Sequence, residues 1–212
     1  MRDLVAQPDL EARTAEEVLA DALSRFHPRL ALACSFQKEE SVLLHMLLRL
    51  RPDARVFTID TGVLFDETRE TWRAVEERYG VHVEVFDALD PEGEPWTAEH
   101  CCSVQKVAAL ERALGGLDAW ITGLRREQAA TRADATKLEW DEAHGLWKFN
   151  PLADWTDRDV WRFIAEHELP YNPLHDRGYD SIGCAPCTQP GAGRDGRWAG
   201  QDKTECGLHG EG

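Results

Sequence analysis

The chain has 212 residues, of which 42% are hydrophobic and 30% are charged, and its formal net charge is −15 at pH 7. This length suits a single domain, and the acidic surplus disfavours general binding to nucleic acids or membrane surfaces, which are themselves polyanions. No apolar run is long enough to span a membrane and no signal-peptide pattern opens the chain, so we expect a cytoplasmic protein.

Helical and strand patterns alternate along most of the chain. Apolar residues at helical spacing occur in five segments, the first opened by a capping box at Thr14 and Glu17: residues 14–26, 42–50, 66–79, 103–114 and from 156 onward. Four short apolar runs have the composition of buried strands: residues 30–34, 55–60, 81–86 and 118–122. Residues 137–141 and 146–150 resemble a hairpin around His144 and Gly145. Beyond Pro170 the periodicity fades.

This order predicts an α/β fold, with a mainly parallel twisted sheet flanked by helices. Such sheets bind ligands at the carboxyl ends of their strands, so we expect one crevice lined by three loops: Ser35–Glu39, Asp60-Thr61-Gly62 and Gly123–Arg126. Residues 1–190 are predicted to form a single domain, and residues 191–212 a mobile C-terminal tail.

Five arginines are candidates for binding an anionic small molecule despite the negative net charge: Arg125, Arg126, Arg132, Arg194 and Arg197. The alternative is that they belong to a solvated surface.

Four of the six cysteines form two close pairs, Cys101–Cys102 and Cys184–Cys187. Two adjacent cysteines can reach one centre only from a turn or a helix start, because neighbours on an extended chain point to opposite faces. Zinc sites usually separate paired ligands by two or more residues, whereas the irons of a cubane lie apart and each take one thiolate. The pattern favours a [4Fe–4S] cluster on these four cysteines. Zinc binding, a redox role and simple burial are the alternatives.

The remaining cysteines differ in their surroundings. Cys206 stands in a polar, glycine-containing segment with no core to fill, which favours a reactive thiolate over an incidental residue. Lys203 and His209 would lower its pKa, whereas Glu205 would raise it. Cys34 lies on an apolar strand and is expected to be a small buried hydrophobe.

Taken in order, these motifs resemble those of the assimilatory sulfonucleotide reductases, and among them the cluster-containing adenosine 5′-phosphosulfate (APS) reductases. The resemblance extends from about Leu30 to His209 and is carried by four elements: Cys101-Cys102 with Lys106, residues 120–128, Cys184-x-x-Cys187 and residues 205–209. It implies an adenine nucleotide α-hydrolase-like fold, related to ATP pyrophosphatases. ATP pyrophosphatases carry a glycine-rich loop that binds pyrophosphate. The corresponding residues of this chain, Ser35–Ser41, contain no glycine, so ATP chemistry is disfavoured.

The resemblance also implies roles for individual residues. Cys206 would be the nucleophile that forms an S-sulfonate, the paired cysteines would bind the cluster, and thioredoxin would release sulfite. Further residues would contact the substrate, the first four at the phosphosulfate and the others around the adenosine: Lys106, Arg194, Arg197, His209, Ser35, Asp60, Thr61, Gly62 and Gly123. Arg125 and Arg126, the basic residues of the predicted crevice, complete the predicted set of substrate-binding residues. The family often has arginine before the lysine, where this chain has Gln105.

The leading hypothesis is therefore thioredoxin-dependent reduction of APS to sulfite and AMP. Its nearest rival is the same chemistry on the 3′-phosphorylated substrate (PAPS), whose reductases usually lack the two cysteine pairs. A non-catalytic iron–sulfur redox sensor that binds nucleotides would not need Cys206, and an ATP-dependent transferase is disfavoured by the altered loop. The sequence leaves the oligomeric state open, a homo-oligomer among the options.

Overall fold

The computed structural model describes residues 9–97 and 99–198. Five α-helices are present in these residues: α1 (Ala15–Phe26), α2 (Lys38–Leu50), α3 (Asp66–Tyr79), α4 (Ser103–Leu114) and α5 (Asp157–His167). Six strands accompany them: β1 (Leu30–Ala33), β2 (Arg55–Asp60), β3 (Glu84–Asp87), β4 (Ala119–Ile121), β5 (Leu138–Asp141) and β6 (Leu146–Phe149). The predicted alternation of helices and strands is confirmed.

The strands form one sheet in the order β3-β2-β1-β4-β6-β5. Every neighbouring pair is parallel except β5 and β6, the antiparallel hairpin predicted around Gly145. Strand β1 lies between β2 and β4, with Ala31 opposite both Arg55 and Trp120. After β1 the chain forms β2 and β3 on one side of it, and then crosses over to form β4 on the other side. The carboxyl ends of β1 and β4 are therefore the topological switch point of the sheet.

Two elements differ from the prediction at their ends. Helix α2 begins at Lys38, four residues earlier than the apolar pattern indicated, because the Gln37 and Glu40 side chains form a capping box there. Strand β3 begins only at Glu84. The backbone N–H of Val83 donates to the Glu76 carboxylate at 3.0 Å, so this residue still belongs to the connection between α3 and β3.

Apolar residues fill both faces of the sheet. On one face, residues of α1, α2 and α5 pack around the fully buried Leu32, Ile121 and Phe149. On the other, Leu110 and Leu114 of α4 pack against Trp120. None of the helices in the described ranges is long and apolar enough to cross a membrane.

The described part of the segment predicted as a tail is packed against the body of the protein. Thr188 and Arg197 form an antiparallel bridge, and Gln189 N–H donates to the Gly196 carbonyl at 2.8 Å. Trp198 follows and is only 3% exposed. Residues 188–197 thus form a compact hairpin (the 188–197 hairpin below), and residues 199–212 of the predicted tail lie outside the described residues.

Candidate active site

A cavity of about 290 Å³ opens at the switch point of the sheet. Its walls come from the loop after β1, the loop after β4, and the segment around the C-x-x-C pair. Several of the predicted substrate-binding residues line it: Ser35, Lys106, Gly123, Arg125, Arg194 and Arg197. The sheet topology explains the convergence, because the carboxyl ends of neighbouring parallel strands lie along one edge.

The loop after β1 is held in place by side chains rather than by glycines. Phe36 adopts a left-handed backbone (φ 58°) and is buried, with its ring stacked on Trp72 at 5.4 Å. Ser35 Oγ donates to Glu40 Oε2 at 2.9 Å, and Gln37 N–H donates to the same oxygen at 3.0 Å. A strained non-glycine residue at a cavity wall persists because the surrounding packing fixes it.

Two buried carboxyl groups lie at the start of α2, close to the cavity. Burial raises the pKa of Glu40 from its ordinary value of 4.5 to about 8, with a further contribution from the negative charge of Glu39. Gly123 fits against both residues, since a Cβ there would stand 2.4 Å from Glu40 Oε1 and 2.9 Å from Glu39 Cβ. The loop after β4 can approach α2 this closely only with glycine at position 123.

Arg125 and Arg126 point in different directions. Arg125 is buried in the cavity wall and donates to Glu39 at 2.9 Å and to Asp157 at 3.1 Å. Its charge is therefore balanced by carboxylates of the protein. Arg126 does not line the cavity. Its guanidinium donates to the Ala135 carbonyl at 2.7 Å and pairs with the Glu11 carboxylate. The predicted crevice position of Arg126 is wrong, because these partners hold it away from the switch point.

The loop after β2 also departs from the prediction, since none of its three predicted residues lines the cavity. Asp60 is paired with Arg69 of α3 at 3.0 Å and accepts from Gly62 N–H at 2.8 Å. Thr61 instead contacts the cysteine group, with its Oγ1 atom 3.2 Å from Cys184 Sγ. Residues 57–59 of β2 do line the cavity, but these partners hold the Asp60 and Thr61 side chains away from it.

Three of the four paired cysteines, Cys102, Cys184 and Cys187, come together beside the cavity, and Cys101 is close enough to contribute to the raised pKa of Cys187. Cys102 and Cys184 are 4% and 3% exposed and lie with their Sγ atoms 3.6 Å apart; Trp96 packs against both, and Cys187 lies alongside. This distance is far too long for a disulfide, so the thiols are free. Cys102 is the N-cap of α4 with a near-helical backbone (φ −64°, ψ 2°), the helix start that a tandem pair requires.

Electrostatic effects make these thiols unequal. Hydrogen bonds from Cys102 and Cys187 lower the pKa of Cys184 far below its ordinary value, and Lys106 and Thr61 act in the same direction. The pKa of Cys102 and that of Cys187 are raised, first by the hydrogen bond to Cys184 and then by burial. The group therefore favours a thiolate at Cys184, the protonation state in which cysteine binds metals.

No set of three or more His, Cys, Asp or Glu side chains within residues 9–97 and 99–198 is arranged to hold a single metal ion. A four-iron cluster has a different requirement, because each of its irons takes its own thiolate. Four thiols from two segments supply these donors, and two of the thiols, Cys102 and Cys184, are almost fully buried.

Three cations of the predicted set line the cavity beside the cysteines. Lys106 lies one turn into α4, where its charge helps to lower the pKa of Cys184 and partly opposes the rise in the pKa of Cys102. Arg197 is 8% exposed, and its Nε is buried without a hydrogen-bond partner among the described residues. Arg194 lies over the Trp198 ring at 5.5 Å. The predicted nucleophile Cys206 and the predicted substrate contact His209 are outside the described residues.

Cys34 is buried in the cavity wall, as expected for a small hydrophobe, and burial raises its pKa well above the ordinary value.

Sequence reasoning placed Gln37 in the predicted crevice loop without giving it a role, and it missed Glu40 as a residue of the cavity wall. Gln37 joins two walls, because its Oε1 accepts from Ile182 N–H at 2.7 Å and its Nε2 donates to Ser35 Oγ at 3.1 Å. The spacing of glutamine and glutamate before an apolar run was the available signal, since it is typical of a capping box.

Comparison with known proteins identifies the family. The sequence profile described as "Phosphoadenosine phosphosulfate reductase domain" matches residues 29–190. The chain is 42% identical to a Salinibacter ruber protein named adenosine 5′-phosphosulfate reductase, over 94% of this chain and 85% of that protein. It is 43% identical to a Gloeobacter violaceus protein named phosphoadenosine 5′-phosphosulfate reductase, over 92% of this chain and 88% of that protein.

Solved structures agree. The crystal structure of a phosphoadenylyl-sulfate reductase from Candida auris, in a phosphate complex, matches with a TM-score of 0.69 and 28% identity, covering 83% of this chain and 90% of that one. The predicted adenine nucleotide α-hydrolase-like fold is confirmed. By the extent of the sequence match and the agreement in fold, this chain belongs to the phosphoadenosine phosphosulfate reductase family.

Proposed function

We propose that this chain reduces APS to sulfite and AMP in sulfate assimilation. The observation that carries the proposal is the adjacency of the four-cysteine group to a cation-lined cavity, with Lys106 acting on both. The cavity supplies a partly enclosed volume with cationic residues in its walls at the switch point of the sheet, where folds of this kind bind nucleotides. Relatives named as reductases of this substrate class support the same conclusion.

Binding depends on residues with different tasks. Lys106, Arg194 and Arg197 are assigned to the phosphosulfate group, whose oxygens gain negative charge as the sulfur–oxygen bond breaks. Ser35 and Gly123 are assigned to the adenosine side of the cavity, where Glu40 holds the serine hydroxyl. Arg125 is assigned to the wall, because Glu39 and Asp157 already balance its charge.

The proposed cofactor is a [4Fe–4S] cluster held by Cys101, Cys102, Cys184 and Cys187. When bound, it would hold the two cysteine-bearing segments together rather than carry electrons. Thr61 would donate a hydrogen bond to the Cys184 thiolate, and Lys106 would remain between the cysteines and the substrate. The zinc alternative is distinguished by iron and acid-labile sulfide content.

The proposed nucleophile is the Cys206 thiolate. It attacks the sulfur of APS, the bond from sulfur to the phosphate oxygen breaks, and AMP leaves with the electron pair of that bond. The product is a cysteine S-sulfonate. A reduced thioredoxin thiolate then attacks Cys206 Sγ and expels sulfite, and its second thiol resolves the mixed disulfide. The two electrons that convert sulfur(VI) to sulfur(IV) come from the thioredoxin dithiol.

A sulfite-release assay tests this function. Anaerobically purified protein is mixed with reduced thioredoxin and either APS or PAPS, and sulfite and the adenosine nucleotide product are quantified. We expect turnover with APS at a higher kcat/KM than with PAPS. Faster turnover with PAPS would favour the activity named for the Gloeobacter violaceus relative. Nucleotide binding without sulfite from either substrate would favour the non-catalytic sensor.

A further inference from the structure

Gly183, directly before the first cysteine of the C-x-x-C pair, has no conformational need to be glycine. Its φ angle lies outside the left-handed region, unlike that of Gly62 or Gly178. The reason for a glycine is instead steric. A Cβ at position 183 would stand 2.4 Å from Nη2, 2.5 Å from Cζ and 2.9 Å from Nε of Arg197. The guanidinium thus occupies the space that any side chain at position 183 would need.

Arg197 reaches this position by way of the 188–197 hairpin. From there its Nη1 donates to Ser181 Oγ at 3.2 Å and to the Ile182 carbonyl at 3.3 Å. The Trp198 ring lies on another side, with its centroid 4.5 Å from Cζ. The guanidinium is therefore confined between residues 181–183 and Trp198. Its buried Nε, which has no partner within the described ranges, belongs to a residue of the cavity wall.

Replacing Gly183 by alanine would displace the charge rather than the backbone. The atoms that the methyl group meets are the far end of a flexible side chain, so the guanidinium can move while the main chain stays in place. The movement would break two hydrogen bonds and take the charge out of its seat in the cavity wall.

We propose that Gly183 is a positioning residue: its missing side chain provides the seat that holds the Arg197 guanidinium against the substrate cavity. The inference rests on the proposed function, in which Arg197 binds the phosphosulfate group. Gly183 would thus contribute to anion binding by leaving space for Arg197, although it has no side chain that could contact the substrate.

A double-mutant cycle on APS binding tests the proposal. The wild type, Gly183→Ala, Arg197→Ala and the double variant are compared by equilibrium binding, anaerobically and without thioredoxin. Loss of a charge-assisted contact costs about 1.5–3 kcal/mol, so Arg197→Ala should weaken binding by roughly ten- to a hundredfold. Gly183→Ala should weaken it by at least about fivefold, and the double variant should bind no more weakly than Arg197→Ala alone.

Controls separate positioning from general destabilisation. Gly115→Ala, at another glycine outside the left-handed region and away from the cavity, should bind APS as the wild type does. The visible spectrum of Gly183→Ala should match that of the wild type, and its thermal unfolding temperature should fall no further than that of Arg197→Ala, which loses the same two hydrogen bonds. If Gly183→Ala fails to fold, the double variant should fold, because the methyl group then has the space that the guanidinium left. Failure of both to fold would overturn the inference.

The remaining outcomes distinguish the two proposals. Wild-type affinity in Gly183→Ala, or additive losses in the double variant, overturns the role of Gly183 and leaves APS reduction intact. Wild-type affinity in Arg197→Ala overturns both the anion-binding role of Arg197 and the seat. Absence of sulfite release with the expected binding pattern overturns the proposed reaction and leaves the Gly183–Arg197 relationship standing.

Discussion

The guanidinium of Arg125 and the carboxylate of Glu39 form an ion pair at 2.9 Å in which the two side chains are only 4% and 5% exposed. Asp157 of α5 completes the group with a contact to Arg125 at 3.1 Å. The pair connects the loop after β4 to the first turn of α2, and so fixes the distance between two walls of the cavity.

Arg125→Ala should destabilise the protein strongly, because it leaves the buried Glu39 carboxylate without its cation. Breaking a buried pair in this way typically costs about 3–5 kcal/mol. Arg126→Ala, at a half-exposed neighbour, should cost less than about 1 kcal/mol. Urea unfolding of both variants and of the wild type measures the difference. Equal losses in the two variants would contradict the assignment of Arg125 to the wall.

Stability should fall as pH rises from about 5 to 8, because of Glu40. The folded pKa of this carboxyl is about 8 and its ordinary value is 4.5. Between these values the folded state binds the proton and the unfolded state does not, so the stabilisation is full below pH 4.5 and is lost as pH rises through 8. The slope is at most about 1.4 kcal/mol per pH unit for one proton.

Glu40→Gln removes the titration and keeps an oxygen to accept from Ser35 Oγ and Gln37 N–H. Urea unfolding at several pH values should therefore show a flatter profile for this variant than for the wild type. Parallel profiles would show that Glu40 titrates normally.

Cys102→Ser should abolish the proposed cluster. Serine keeps the size of the side chain but removes a thiolate ligand from the driest part of the cysteine group. Anaerobic wild-type protein should be brown and contain iron and acid-labile sulfide, and the variant should be colourless. Cys34→Ser is the matched control, because Cys34 is equally buried but is not one of the four paired cysteines. Stoichiometric zinc without sulfide in the wild type would contradict the cluster.

Cys206→Ser should bind APS and retain the cluster, yet release no sulfite, because a serine hydroxyl is scarcely ionised at neutral pH. Wild-type protein mixed with APS, without thioredoxin, should gain one sulfonate on the peptide that contains Cys206. Intact-mass and peptide mass spectrometry measure this adduct, which reduced thioredoxin should remove. An adduct on Cys34, or turnover by the serine variant, would show that the nucleophile is a different residue.

The order of helices and strands was predictable from the sequence, because it depends on signals that lie within a few residues. The capping box at Thr14 and the helix-ending Gly80 both lie where the pattern put them. The two cysteine motifs were also readable from short stretches of sequence, since tandem and C-x-x-C spacings restrict what each pair of cysteines can bind. The position of Cys102 at a helix start follows the same logic.

The tertiary structure decided which polar residues face the cavity. Arg125 and Arg126 are adjacent in sequence, but their partners lie far along the chain: Glu39 is 86 residues from the first, and Glu11 is 115 from the second. Gly183 gives no local indication that Arg197 fills its side-chain space. Hydrogen bonds and steric contacts between distant segments form only when the sheet brings those segments together, so no short-range pattern encodes them.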